Sequence, residues 1–130
     1  RETLRYEFQT ARADLARSVM EIIATDEKND PYTRRAALAR TRASIEQMRA
    51  AVGRLGPDLG HAREVEAGLE QISRGLAEGG AGKPLRGNLD AAYMRATPAF
   101  EAWLVAGHRQ VARASAKFVA PSSGSLAHGD

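Results

Sequence analysis

The sequence predicts an all-α protein: an antiparallel up-down-up-down bundle of four helices, with long first and fourth members. Two observations carry that expectation. Four apolar stripes recur at three- and four-residue spacing, and three breaks rich in Gly, Pro and polar residues separate them. A third agrees, since Ala, Arg, Glu and Leu dominate while aromatic residues make up only 5%, a balance that favours helix over strand.

The first stripe is Leu4, Phe8, Ala11, Leu15, Val19 and Ile22, and it ends in the polar run Thr25 to Asp30 before a helix-breaking Pro31. The second, Leu38, Thr41, Ile45, Met48, Val52 and Leu55, alternates three and four without error and stops at Gly56-Pro57. The third is Ala62, Val65, Leu69, Ile72 and Leu76, dissolving into Gly79-Gly80-Ala81-Gly82-Lys83-Pro84. The fourth reads Leu85, Leu89, Ala92, Ala96, Phe100, Trp103 and Gly107, then Val111, Ala114 and Phe118. Pro121-Ser122-Ser123-Gly124-Ser125 closes it, so residues 1–120 are expected to form the bundle and 121–130 a flexible tail.

Each stripe makes its helix amphipathic, so each must bury one face against the others. Four such helices joined by short turns give an antiparallel bundle whose two chain ends leave from one pole. The first and fourth helices span ~26 and ~33 residues, about 39 and 50 Å at 1.5 Å per residue. Long outer helices ending together suit a domain standing on a membrane, with a transmembrane helix beyond each end. Pro98 falls inside the fourth stripe, where it removes a backbone hydrogen bond at ~3 kcal/mol. It either kinks a continuing helix or starts a new one as N1 behind Thr97. The unbroken register on both sides favours the kink.

Composition excludes several functions. With no cysteine among 130 residues, disulfides and thiol chemistry are out. No stretch approaches the ~20 continuous apolar residues of a membrane span. The net charge of +3 comes from arginines interspersed with acids along every helical segment, not from the basic stripe with interleaved aromatics that nucleic acid would require. His61 and Glu64 are three apart, but in the reverse order of a di-iron Glu-x-x-His pair and without a second copy. Met20 and His108 are conceivable axial haem ligands, but no pocket of small residues accompanies them. No Ser-His-Asp or phosphate-loop signature is present. The expectation is a non-enzymatic domain without metal or cofactor.

Two segments resemble the periplasmic ligand-binding domain of the aspartate/serine-type methyl-accepting chemotaxis receptors. Gln9-Thr10-Ala11-Arg12-Ala13-Asp14-Leu15-Ala16-Arg17-Ser18 is similar to that family's first helix, where two arginines five residues apart flank a Leu-containing run. Ala92-Tyr93-Met94-Arg95-Ala96-Thr97-Pro98 is similar to its fourth-helix motif, an aromatic followed shortly by Pro and Thr. This chain departs from that motif: one extra residue precedes Pro98, and Thr comes before the proline.

The resemblance implies a homodimer binding a small ligand between the first and fourth helices at the subunit interface. It makes Arg12, Arg17, Tyr93, Arg95 and Thr97 the candidate site, in the periplasmic part of an inner-membrane receptor. At ~100° per residue, Arg12 and Arg17 point about 140° apart, so they would meet one ligand from different subunits. Guanidinium forks suit carboxylates, while Tyr93 and Thr97 add hydroxyls. Where the family has a further arginine this chain has Glu21, which would repel an anion or pair with Arg17 at i,i+4. The expected ligand is therefore an organic acid such as malate or citrate rather than an α-amino acid. The rival expectations are the sensor bundle of a histidine kinase and a ligand-free adaptor bundle. Read without a ligand, the arginines are solvated surface residues making weak ion pairs and Tyr93 is core edge, while Trp103 is a core anchor or lies at the dimer seam.

Overall fold

The computed structural model describes residues 2–28, 30–56, 60–80 and 84–123, with side chains of the last segment described as far as Gly107. Four helices follow in order: α1 (Glu2–Lys28), α2 (Pro31–Leu55), α3 (Ala62–Gly80) and α4 (Arg86–Ser123). No strand occurs among the described residues. Each helix packs on its neighbours in sequence, and α4 closes the ring on α1. All four pairs run antiparallel. Glu7 meets Arg54 and Glu21 meets Arg40; Arg49 meets Glu66 and Glu70; Gly60 and Gly68 approach Ala106 and Ala96; Phe8 stacks near Trp103 while Asp26 reaches Leu85.

The stripes become the core. Every stripe position from Phe8 to Trp103 is buried, and only Leu4, at the start of α1, is partly exposed. Trp103 resolves to the core, fully buried with its ring centroid 4.3 Å from that of Phe8. Phe100 meets Phe8 edge-on at 6.0 Å, a favoured geometry for aromatic pairs. The side chains of His108, Val111, Ala114 and Phe118 lie outside the described residues, as does the chain from 124 to 130.

Proportions and ends differ from expectation in instructive ways. The fourth helix is longest at 38 residues, whereas the first, at 27, exceeds the second, at 25, by only two. Pro31 does not break a helix but begins one. It stands at the first helical position, where its missing N–H costs nothing, behind Asp30, whose Oδ1 accepts from Tyr32 N at 3.1 Å and Thr33 N at 3.3 Å. Pro98 lies within a continuous α4, and Thr97 is not a cap: its Oγ1 donates to Tyr93 O at 3.0 Å, one turn back.

The two poles are built differently. At the pole shared by the α1 C-terminus and the start of α4, Asp26 accepts from Leu85 N (3.0 Å) and Arg86 N (2.9 Å). It thereby caps α4 from another helix. Arg34 of α2 joins it through Nη1 at 2.8 Å, and also reaches Thr25 Oγ1 at 3.3 Å. The Asp26 side chain is 10% exposed. Burial pushes its carboxyl upward, but the hydrogen bonds from Arg34, Arg86 and Leu85 and the charge of Arg34 outweigh that and hold it below the ordinary value. At the opposite pole Gly107 packs on Arg5 and Leu55, and α4 runs on for sixteen residues to Ser123. The start of α1 and the far half of α4 therefore share one pole.

Candidate functional site

The five residues expected to form a site are distributed over three seams of the bundle. Arg12 faces α4, where its Nη1 pairs with Glu101 Oε2 and its guanidinium carbon stands 6.0 Å from the Phe100 ring centre. Its side chain is only 19% exposed. Thr97 and Tyr93 lie one and two turns before Glu101, on the side of α4 turned toward α1. Tyr93 packs on the core edge, and its carbonyl accepts the Thr97 hydroxyl. These three residues thus flank the α1/α4 seam. Arg12, the cation among the three, already has a carboxylate partner.

Arg17 points the other way, toward α2. Its side chain is 71% exposed and its Nη1 lies 3.2 Å from Asp14 Oδ1. It lines a groove of about 280 Å³ between the middles of α1 and α2, together with Ser18, Glu21, Arg40 and Ser44. Glu21, expected to repel an anion or pair with Arg17, instead pairs with Arg40 across the groove: Arg40 Nη2 is 2.7 Å from its Oε1. Gln47 lines both this groove and a second one of about 430 Å³, bordered by Tyr6, Thr10 and Arg54. The two form one furrow along the outside of α1 and α2.

Arg95 lies on the third seam. It borders a groove of about 560 Å³ between α3 and α4, floored by Gly68, Ala92 and Ala96 and edged by His61 and Gln71. His61 adopts a left-handed backbone, φ +72°, a conformation that His tolerates better than most residues. Its carbonyl accepts from Val65 N at 3.0 Å, opening α3. Its Nδ1 is 3.9 Å from Glu64. Among the described residues no group of three His, Cys, Asp or Glu converges as a metal site would require.

Within one chain, then, Arg12, Tyr93 and Thr97 come together, while Arg17 and Arg95 sit on other seams. Arg40 and Ser44, absent from the expected site, are what stands near Arg17. The helical phase of Arg40 marks it as facing away from the α2 stripe, but nothing in the sequence pairs it with α1. These grooves and seams define the molecule as a four-helix bundle with charged lateral clefts. No family model, curated protein or solved structure matches the chain.

Proposed function

We propose that the chain is the extracytoplasmic sensor domain of a bacterial chemoreceptor, binding a small di- or tricarboxylate beside a dimer seam and signalling by a helix shift. The observation that carries this reading is the shared pole of α1 and α4: the two helices that would continue toward a membrane start and run on at the same end. Among the described residues no helix is itself long and apolar enough to cross a bilayer, so the reading assigns membrane attachment to flanking segments.

The outer face of α1 supports a dimer. Tyr6, Thr10, Ala13, Arg17, Met20 and Ala24 are all exposed and alternate four and three residues apart, the spacing of a two-helix seam. This second stripe lies nearly opposite the core stripe of the same helix and carries a single charge. Pairing two α1 helices along it would bury Tyr6 and Met20, two of the most exposed large apolar side chains, and would bring Arg17 of each subunit to the joint. Arg12, about 140° away on the helix, reaches a shared ligand only by exchanging Glu101 for it.

A ligand shifts a signalling equilibrium only by its differential affinity for the two states. One bound beside a subunit joint has such a difference, and it stabilises the assembled form by mass action. The moving part on this reading is α4, by a slide on the order of 1–2 Å. A thermal-shift screen of malate and citrate tests the proposal. Either acid should raise the Tm, and Arg17→Ala should abolish the shift, with Arg12→Ala reducing it. Failure of both acids to move the Tm sinks the sensor reading.

A further inference from the structure

The middle groove between α1 and α2 holds a polar group that the fold does not use. Among the described residues four polar ones are buried: Ser18, Thr25, Thr41 and Ser44. Three of them donate to a carbonyl of their own helix, Ser18 to Leu15 O at 3.1 Å, Thr25 to Ile22 O at 2.6 Å and Thr41 to Ala37 O at 2.8 Å. That back-bonding is the ordinary way a helix satisfies an interior hydroxyl. Ser44 departs from it. The residue is 4% exposed, lines the groove, and makes no hydrogen bond among the described residues.

The groove walls carry two cations whose capacity is incompletely used. Arg17 from α1 is tied to Asp14 through Nη1, and Arg40 from α2 to Glu21 through Nη2. A guanidinium offers five N–H donors, so one bond each leaves most of both forks for a ligand. Both ion pairs are well exposed, and exposed pairs of this kind hold weakly. A volume of about 280 Å³ suits an acid of a few carbons, being just under the ~300 Å³ at which clefts for drug-sized ligands begin.

We propose that this α1/α2 groove is the carboxylate site of the chain. Arg17 and Arg40 grip a small di- or tricarboxylate from opposite walls, and Ser44 Oγ donates from the floor. Glu21 is an internal competitor that occupies Arg40 until the ligand displaces it. Asp14 competes for Arg17 in the same way. The four side-chain charges cancel, so a single carboxylate gains little by entering. A ligand with two carboxylates recovers both forks at once and adds the unused hydroxyl, which selects for multivalent acids. This inference rests on the sensor reading and supplies the wall that reading leaves unassigned, α2.

Isothermal titration of the full chain with malate and with citrate, at low salt, separates the possibilities. The expected result is one site per chain, with Arg40→Ala weakening binding by at least about tenfold, as loss of a charge-assisted contact does. Ser44→Ala should weaken it by about threefold or more while leaving the ligand-free Tm unchanged, since its hydroxyl has no internal partner to lose. Glu21→Gln should tighten binding by about two- to fivefold, the scale of an exposed ion pair. Binding that persists unchanged in both Arg40→Ala and Ser44→Ala overturns the groove and leaves the sensor reading standing with its site elsewhere. Weaker binding in Glu21→Gln overturns the competitor role, because Glu21 would then be helping to hold the acid, as by accepting a hydrogen bond from its hydroxyl. No binding of either acid to the unaltered chain removes the sensor reading and the groove together.

Discussion

The α1/α2 seam and the α3/α4 seam join helices of one bundle by opposite means. Along α1/α2 the helices are stapled at their edges by charge: Asp26–Arg34 at 2.8 Å, Glu21–Arg40 at 2.7 Å and Glu7–Arg54 at 3.9 Å. A furrow edged by charged side chains runs between the staples. Along α3/α4 no ion pair crosses among the described residues, and the helices instead approach backbone to backbone. A Cβ placed on Gly68 would stand 2.7 Å from Ala96 Cβ, and one on Gly75 would stand 3.5 Å from Leu89. The first seam can be loosened by salt, pH or a competing anion. The second answers mainly to volume, its polar bridge being Asn88 Nδ2, which donates to Glu78 Oε1 at 2.8 Å near one end.

The largest effect should come from Asp26, where the charged seam is also a helix cap. Asp26→Ala removes a buried partner of Arg34 and the acceptor for two N–H groups of α4. It should cost about 3 kcal/mol, or about 10 °C in Tm. The same carboxyl sets an acid limit. Because it titrates below its ordinary value of 3.8 in the folded chain, its contribution is complete above that value and is lost as pH falls through the lower, folded-state pKa. In Asp26→Asn, thermal melts across pH 2–6 should show less acid destabilisation than the parent.

The steric seam breaks next. Gly68→Ala should destabilise by about 1–2 kcal/mol even though alanine is the better helix former. The obstructing atom is a Cβ fixed to the facing backbone, so the helices must part. Gly53 is its control, in the last turn of α2 with nothing within 4 Å of an added Cβ. Gly53→Ala should stabilise by about 0.5–1 kcal/mol. Urea titrations giving the same sign for both variants would erase the distinction between the seams. The smallest effect is that of the exposed staples. Glu21→Gln should change stability by less than about 1 kcal/mol, and raising salt from about 0.05 to about 0.5 M, which brings the Debye length well under 10 Å, should remove what little the pair contributes.

How much of this could be read in the sequence follows from the range of each interaction. The stripes were legible because burial repeats with the helical period. Each described position from Phe8 to Trp103 met that expectation. The opposed directions of Arg12 and Arg17 were legible for the same reason. Which helix lay in each direction was not, and so Arg12 was not seen to face Glu101, nor Arg17 to share a groove with Arg40. Pro31 was misread as a stop because breaker and N1 residue look alike until Asp30 is seen capping the helix it precedes. The Asp26 cap left no local trace at all, since its acceptors and donors are 59 and 60 residues apart in the chain. Ser44 was silent for a subtler reason. Its composition and phase match those of the other buried hydroxyls, and only the missing back-bond sets it apart.

That distant cap also bears on the order in which the molecule assembles. The α1–α2 hairpin closes through neighbours in the chain, whereas the first turn of α4 gains its acceptor only after a loop of nearly sixty residues has closed, an entropic toll that delays such contacts. The start of α4 should therefore dock after the rate-limiting barrier. In stopped-flow experiments Asp26→Ala should accelerate unfolding while leaving the refolding rate nearly untouched. The clasp would then act as a latch on the finished bundle, setting its lifetime rather than its speed of formation.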